Sequence, residues 1–162
     1  MKVGPKTRTL RGQLTSVGSK AEKNIIVDDL RINHGLIVRE FVIWPTIMAA
    51  TTSLTATAIL SYAALGNANE KMDAGDNTQF AWHGATLSFL SDPSDPGAGQ
   101  IRGYDQFNYI DPNHIVNRDM FVSLRNANGT WNYMIICDEV ELTDNEAIIT
   151  IIKENSQGLT PP

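Results

Sequence analysis

The segment 103–113 combines aromatic side chains with amide and carboxylate groups, a mixture that suits sugar recognition. Tyr104, Phe107 and Tyr109 are interleaved there with Asp, Asn and Gln residues. Aromatic rings stack on sugars and polar groups bond to their hydroxyls, and Trp82 is a further candidate for such a site. The segment equally suits a loop whose aromatic side chains close one end of a β-sandwich or contact another subunit. We favour this second interpretation.

The histidines offer little support for an enzyme. His34, His83 and His114 are far apart in the sequence, and although folding can unite distant residues, none has a close partner of the kind that metal sites use. Neither a Gly-x-Ser-x-Gly elbow nor a His-Glu-x-x-His helix occurs. A metal enzyme on a jelly-roll barrel of the cupin kind therefore ranks last. We predict a protein without enzymatic activity, cofactor or metal site.

Charge is distributed unevenly along the 162 residues. Through residue 23 the chain has six Lys and Arg against one Glu, a net charge of +5, whereas the remainder has 7 basic and 17 acidic residues, a net charge of −10. This asymmetry predicts a basic N-terminal arm, residues 1–23, with an acidic partner such as nucleic acid or a neighbouring copy. Its contact residues would be Lys2, Lys6, Arg8, Arg11, Lys20 and Lys23.

The arm has a restricted chemistry. The first aromatic residue is Phe41, so the arm can offer nucleic acid only charge and backbone contacts, which are weak and salt-sensitive. A strand over 9–17 that joins a sheet of its own or another subunit is an alternative. A second alternative is that these residues are an ordinary chain terminus that carries a few lysines.

Composition and length are those of one folded domain. The apolar fraction is 42% and the charged fraction 19%, as in ordinary globular proteins. No apolar run approaches the roughly 18 residues that cross a bilayer, and no apolar signal core is present near residue 1. Cys137 is the only cysteine, which excludes a disulfide within the chain. We expect synthesis in the cytoplasm and no contact with a membrane.

Strand patterns dominate the local sequence. β-branched, aromatic or alternating runs predict strands at 23–28, 36–44, 53–62 and 78–90, with a short helix from Ser53 as the alternative for the third. Gly84 predicts a bulge in the fourth strand. Two polar stretches, 66–77 and 91–103, are predicted to be surface loops. An Asn-Gly step at 128–129 predicts a tight hairpin between strands at 120–125 and 130–142.

The end of the chain predicts a helix. Thr143 and Glu146 form a capping-box pattern, in which each side chain satisfies the other's exposed amide. The apolar residues that follow form one helical stripe, consisting of Ala147, Ile148, Ile151 and Ile152. A strand is the alternative for this Ile-rich run. We predict a helix at about 143–157 that Gly158 terminates.

These elements predict a mainly all-β protein. About seven or eight strands with long connections suit an antiparallel two-sheet sandwich of the jelly-roll type, with a basic N-terminal arm and a short C-terminal helix. The predicted organisation is an arm at 1–23, one sandwich domain at 24–158 and a tail at 159–162.

Three blocks of the sequence resemble small structural proteins of bacteriophage particles, especially marine ones. They are residues 25–45 (IIVDDLRINHGLIVREFVIWP), 110–122 (IDPNHIVNRDMFV) and 141–157 (ELTDNEAIITIIKENSQ). The resemblance implies a β-sandwich protein of the virion, either the coat or an accessory protein of the head or neck. It implies copies of the same chain and other virion proteins as partners.

Two functions follow as hypotheses. The first is a self-assembling virion protein whose arm makes subunit contacts or non-specific contacts with the genome. The alternative is a carbohydrate-binding module for host attachment, with Tyr104, Phe107 and Tyr109 as its ligand residues.

Overall fold

The structure is a computed structural model that describes residues 2–46, 53–66, 72–92 and 95–157. Within these residues the chain forms eight strands and one helix. The strands make up two antiparallel sheets. Their bounds are β1 (Lys2–Thr15), β2 (Ala21–Ile26), β3 (His34–Pro45), β4 (Leu54–Ser61), β5 (Gln79–Asp92), β6 (Asp95–Ile110), β7 (Asp119–Arg125), β8 (Thr130–Glu141) and α1 (Asp144–Gln157).

The strands pair as a nested set. One sheet has the order β1-β8-β3 and the other the order β2-β7-β4-β5-β6. The first strand therefore pairs with the last, the second with the seventh, and the fourth with the fifth. This order is that of a jelly-roll-like sandwich, in which a long antiparallel ribbon is folded over on itself. The predicted all-β two-sheet architecture with a C-terminal helix is confirmed.

The nested order would next bring β3 beside β6. These two strands are joined by side chains of β6 that bond to the main chain of β3. The Tyr104 hydroxyl donates to the carbonyl of Ile43 at 3.1 Å, and the Asn108 amide donates to the carbonyl of Phe41 at 2.8 Å. The buried ring of His83 also donates to the Phe41 carbonyl, at 3.1 Å. These bonds satisfy carbonyl groups on the open edge of β3, which would otherwise be exposed to pairing with another chain.

The core lies between the two sheets and follows the alternation of each strand. Inward residues of β8, such as Trp131 and Ile135, face inward residues of the other sheet such as Val122 and Leu60. These side chains are at most 1% exposed. Period-two patterns place apolar side chains on one face of a strand. The alternation at 53–62 therefore predicted β4 correctly, and the alternative of a helix there is wrong.

The predicted hairpin at 120–142 is wrong, although both of its strands exist. β7 pairs with β2 and β4 in the larger sheet, whereas β8 pairs with β1 and β3 in the smaller one. Residues 126–129 therefore cross between sheets. Asn126 and Gly129 have positive φ angles of 49° and 76°, as in a tight turn. The strands separate because the other partners occupy both edges of β8.

The predicted loop at 91–103 and the predicted bulge at Gly84 are also wrong. β5 and β6 form a long antiparallel pair, and the register shifts lie between Ser88 and Phe89 and between Leu90 and Asp92. Gly84 is in regular register opposite Phe107. Gly and Pro residues suggested a loop, but β6 is an edge strand of its sheet, where such residues are tolerated.

The predicted arm is not separate from the sandwich. Thr7–Thr15 runs in continuous register along β8, and the boundary at residue 23 lies inside β2. Leu10, Gly12 and Leu14 alternate with polar residues in this stretch and are buried or partly buried, as fits an edge strand with one face on the core. The alternative of a strand over 9–17 agrees with the pairing as far as Thr15.

The C-terminal helix begins at the predicted cap. The Glu146 carboxylate accepts the amide of Thr143 at 2.9 Å, and the Thr143 hydroxyl accepts the amide of Glu146 at 3.4 Å. Ala147 is fully buried against Ile37, Val140 and Leu142. The helix therefore packs on the end of the sandwich through its first turn. The predicted end at Gly158 lies outside the described residues.

Candidate functional site

The six basic residues proposed as contacts do not form one face. In the register of β1, Arg8 is opposite the buried Cys137 and Arg11 is opposite Met134, so their side chains point to opposite sides of the sheet. Lys20 lies in the β1–β2 connection and Lys23 on β2. Lys6 is exposed on β1, and the side chain of Lys2 lies outside the described residues. The positive charge is thus spread around one edge of the sandwich.

The three aromatic residues proposed for ligand binding lie on β6, not on a loop. Tyr104 points towards β3, where its hydroxyl bonds to the main chain. Phe107 and Tyr109 are two residues apart and share the opposite face of the strand. They are 55% and 57% exposed. The structure therefore separates Tyr104 from the other two.

Register then separates Phe107 from Tyr109. Phe107 pairs with Gly84, and Tyr109 pairs with Trp82. The Trp82 and Tyr109 rings lie 6.1 Å apart with a tilt of 30°. The structure thus unites one of the three proposed residues with the additional candidate, Trp82.

The Trp82–Tyr109 pair lines a cavity of about 370 Å³ at the end of the sandwich. We call this cavity the aromatic pocket. Phe80 and Tyr62 form part of its wall, with their ring centroids 4.7 Å apart. Its volume falls within the range of about 300–1,000 Å³ that is typical of small-ligand sites. The remaining lining residues are Ala74, Asp76, Asn77, Gln79, Asp111, Asn113, Ile115, Thr150, Lys153 and Glu154.

Hydrogen bonds hold the polar wall of the aromatic pocket in place. The Gln79 side-chain oxygen accepts the indole N–H of Trp82 at 2.7 Å. One oxygen of Asp76 accepts both the amide and the hydroxyl of Thr78. One oxygen of Asp111 accepts the amide of Asn113 at 2.9 Å. The pocket therefore has fixed carboxylates beside fixed aromatic rings.

The helix α1 contributes the third wall. Thr150, Lys153 and Glu154 line the aromatic pocket from this side. The Glu154 carboxylate accepts the amide of Asn117 at 2.7 Å, which ties the helix to the β6–β7 connection. Burial raises the pKa of Glu154 to about 6, and the charges of Asp119 and Asp28 act in the same direction. Glu154 was not identified from sequence, because only the docked position of α1 brings it to this cavity.

The histidines serve the fold in three separate places. His114 is buried, accepts the amide of Val38 at 2.8 Å, donates to the carbonyl of Asp111 and stacks on Phe80. Burial lowers the pKa of both His114 and His83. His34 is bonded to Asp29 at 2.8 Å. Among the described residues, no group of His, Cys, Asp and Glu side chains is arranged to hold a metal ion.

A scan of protein-family models and a search of curated proteins gave no match to this chain. No helix within the described part of the chain is both long and apolar enough to cross a membrane.

Proposed function

We propose that this chain is a non-enzymatic structural protein of a bacteriophage particle that assembles with copies of itself. The observation that supports the proposal is the nested pairing of β1 with β8, β2 with β7, and β4 with β5. Viral coat proteins use this jelly-roll order, as do some lectins and cupins. The resemblance of three sequence blocks to phage virion proteins favours the first of these classes.

An exposed apolar surface supports assembly. Leu30 and Ile32 border the same groove as Ile151, and Ile148 and Ile152 lie beside Ile151 on α1. We call Leu30, Ile32, Ile148 and Ile152 the outer apolar surface; Ile151, which is partly buried, lies between them. Leu30 is 91% exposed, and Ile148 and Ile152 are more than half exposed. Clusters of exposed apolar residues on a small protein are typical of protein–protein contact sites.

An unusual backbone conformation holds the Leu30 side chain in solvent. Leu30 has a positive φ of 67°, which is unfavourable for a residue with a side chain. The carboxylates of Asp28 and Asp29 accept the amides of Leu30 and Arg31 at 2.7 and 3.0 Å, respectively, and so stabilise the turn. A turn that holds a leucine in solvent is consistent with a residue that inserts into a neighbouring molecule.

Charge at the outer apolar surface suits a second copy of this chain. The groove is bordered by Asp28 and also by Arg31 and Arg118. A surface with both signs of charge can be complementary to itself across a two-fold axis. We therefore propose that copies of the chain meet there, with other virion proteins as further partners in the particle.

Any contact with the genome would be non-specific and sensitive to salt. Lys6, Arg8, Arg11 and Lys23 are exposed but distributed over β1 and β2. Non-specific binding through so few phosphates is modest and decreases steeply with salt. The acidic remainder of the chain opposes it.

The test is the mass of the purified protein by light scattering, at low and high salt and with or without nucleic acid. Defined oligomers or particles support the proposal, and electron microscopy then shows whether they are closed shells. A monomer under every condition would overturn it.

A further inference from the structure

We propose that the aromatic pocket binds a neutral saccharide. This goes beyond assembly, because residues of a single chain line the cavity. Binding there needs no second copy. The inference rests on the exposed Tyr109 ring beside Trp82, on the carboxylates around them and on the size of the cavity. The sequence suggested a sugar site formed by three aromatic residues of segment 103–113, with Trp82 as a further candidate; of these, Tyr109 and Trp82 line the pocket.

The aromatic wall is suited to the apolar face of a pyranose. The indole N–H of Trp82 is bonded to Gln79 and the residue is only 7% exposed, so Trp82 supports the neighbouring ring of Tyr109. Tyr109 is on an edge strand and more than half exposed, so the core does not require its ring. The Tyr109 ring, tilted by 30° from that of Trp82, is therefore the surface on which a sugar can stack.

The polar wall is suited to hydroxyl groups. Asp111 uses one carboxylate oxygen to accept the Asn113 amide, and its second oxygen can accept from a ligand. The Asn113 side chain supplies both a donor and an acceptor, and the Tyr109 hydroxyl does the same. Neighbouring sugar hydroxyls both donate and accept, so this combination matches them better than it matches an apolar ligand.

Charge selects among saccharides. Asp76, Asp111 and Glu154 line the aromatic pocket with Lys153 as the only lining cation among the described residues. Carboxylates repel sialic acids, uronic acids, sulfated sugars and phosphates. The volume of about 370 Å³ is at the lower end of the range for ligand sites, which is roughly 300 to 1,000 Å³. A short neutral glycan end therefore fits best.

The experiment is a screen of the full-length chain on immobilised glycans. Neutral glycans ending in glucose, galactose, mannose or N-acetylglucosamine form one arm, and sialylated and sulfated glycans form the other. Hits are titrated in solution by following tryptophan fluorescence. We expect binding in the neutral arm only.

Two variants and a matched control locate the site. Tyr109→Ala and Asp111→Asn are each expected to weaken binding about tenfold, the loss of one good contact. Phe107→Ala removes an aromatic ring of nearly equal exposure from the same face of β6, two residues away, and should leave binding unchanged. Tyr109→Phe keeps the ring and should retain most of the affinity. Circular dichroism checks that each variant is folded.

Three results would overturn the inference. They are no binding of any neutral glycan at millimolar concentration, binding confined to the anionic arm, and an equal loss in Phe107→Ala and Tyr109→Ala. If Tyr109→Ala does not fold, Asp111→Asn still decides. Assembly is measured separately, so a monomer that binds glycans would refute only the proposed function.

Discussion

The two sides of α1 differ in a way that is opposite to the usual amphipathic helix. The side that faces the sandwich consists of Ala147, Thr150, Ile151 and Glu154, which are buried or partly buried. The other side has three isoleucines, at positions 148, 149 and 152, that are each more than half exposed. An isolated chain would be expected to bury its isoleucines and expose its carboxylate.

The two proposals together account for this inversion. The inner side has a small residue where α1 packs on the sandwich, and polar residues where it borders the aromatic pocket. The outer side has apolar groups that no described residue covers. The proposed sugar site and the proposed subunit contact thus lie on opposite sides of one helix, and substitutions on each side should have separable effects.

The largest expected effect is on assembly. The double substitution Ile148→Gln and Ile152→Gln removes apolar surface, and Gln keeps the helix because its helix propensity is at least that of Ile. Fully burying such a side chain contributes roughly 1.5–3 kcal/mol, and nearly half of each is already buried in the single chain, so the loss of two should weaken association at least about tenfold. Light scattering across a concentration series measures it.

A matched control for this variant lies at the other end of the sandwich. Val17 is 82% exposed in the β1–β2 connection, whereas α1 follows the opposite end of β8. Val17→Gln removes a similar exposed apolar group and should leave association unchanged. Equal loss of assembly in both variants would contradict a specific role for the outer side of α1.

On the inner side, the expected effect is on stability. Ala147→Leu places a larger side chain against Ile37, Val140 and Leu142, and overpacking of this kind costs about 1–3 kcal/mol. Leu is a good helix former, so propensity does not contribute. Ile149→Leu introduces the same side chain on the exposed side of α1 and should cost almost nothing. Urea denaturation measures both, and equal losses would show that the helix is not docked as described.

The cap of the helix gives a smaller effect. Thr143→Ala removes the hydroxyl that bonds to the amide and the carboxylate of Glu146. Loss of an N-cap hydroxyl costs about 1 kcal/mol. Thr143→Ser keeps the hydroxyl and should restore most of the stability in the same urea measurement. A Thr143→Ala variant as stable as the parent would mean that the cap does not hold α1.

The parts of the fold that local physics determines were predictable from sequence. The Thr143–Glu146 cap follows from the side chains of one short segment. β-branched and aromatic runs predicted β2 and β3, and alternation predicted β4. The choice of strand partners is different, because it depends on distant segments. The Asn-Gly turn predicted that β7 and β8 pair, but β1 and β3 take both edges of β8.

The candidate site was predictable only in part, for a related reason. Tyr109 and Trp82 were candidates because of their side-chain type. Their pairing follows from the β5–β6 register, and sequence suggested a loop there. Glu154 had no local signal, because periodicity identified the apolar stripe of α1 and not the side that faces the aromatic pocket. The sequence did not distinguish Tyr104 from Tyr109 as ligand residues. In the structure the Tyr104 hydroxyl donates to the Ile43 carbonyl on β3.

The smallest expected effect, and the most specific for the inner side of α1, concerns Glu154. Burial raises its pKa from 4.5 to about 6, so the folded state favours the protonated carboxyl. Its contribution to stability is complete below the unfolded pKa of 4.5 and is lost as pH rises through about 6. Glu154→Gln keeps an oxygen for the Asn117 amide and removes the titration.

The Glu154→Gln variant should therefore be more stable than the parent above the raised pKa and equal to it in acid. The gain is on the order of 1 kcal/mol once solvent screening of the partly exposed carboxylate is allowed for. Thermal melts of both proteins between about pH 4 and pH 8 measure it, with Glu139→Gln as a control on β8. A constant difference across this range would show that Glu154 is not buried, and α1 would then not form the third wall of the aromatic pocket.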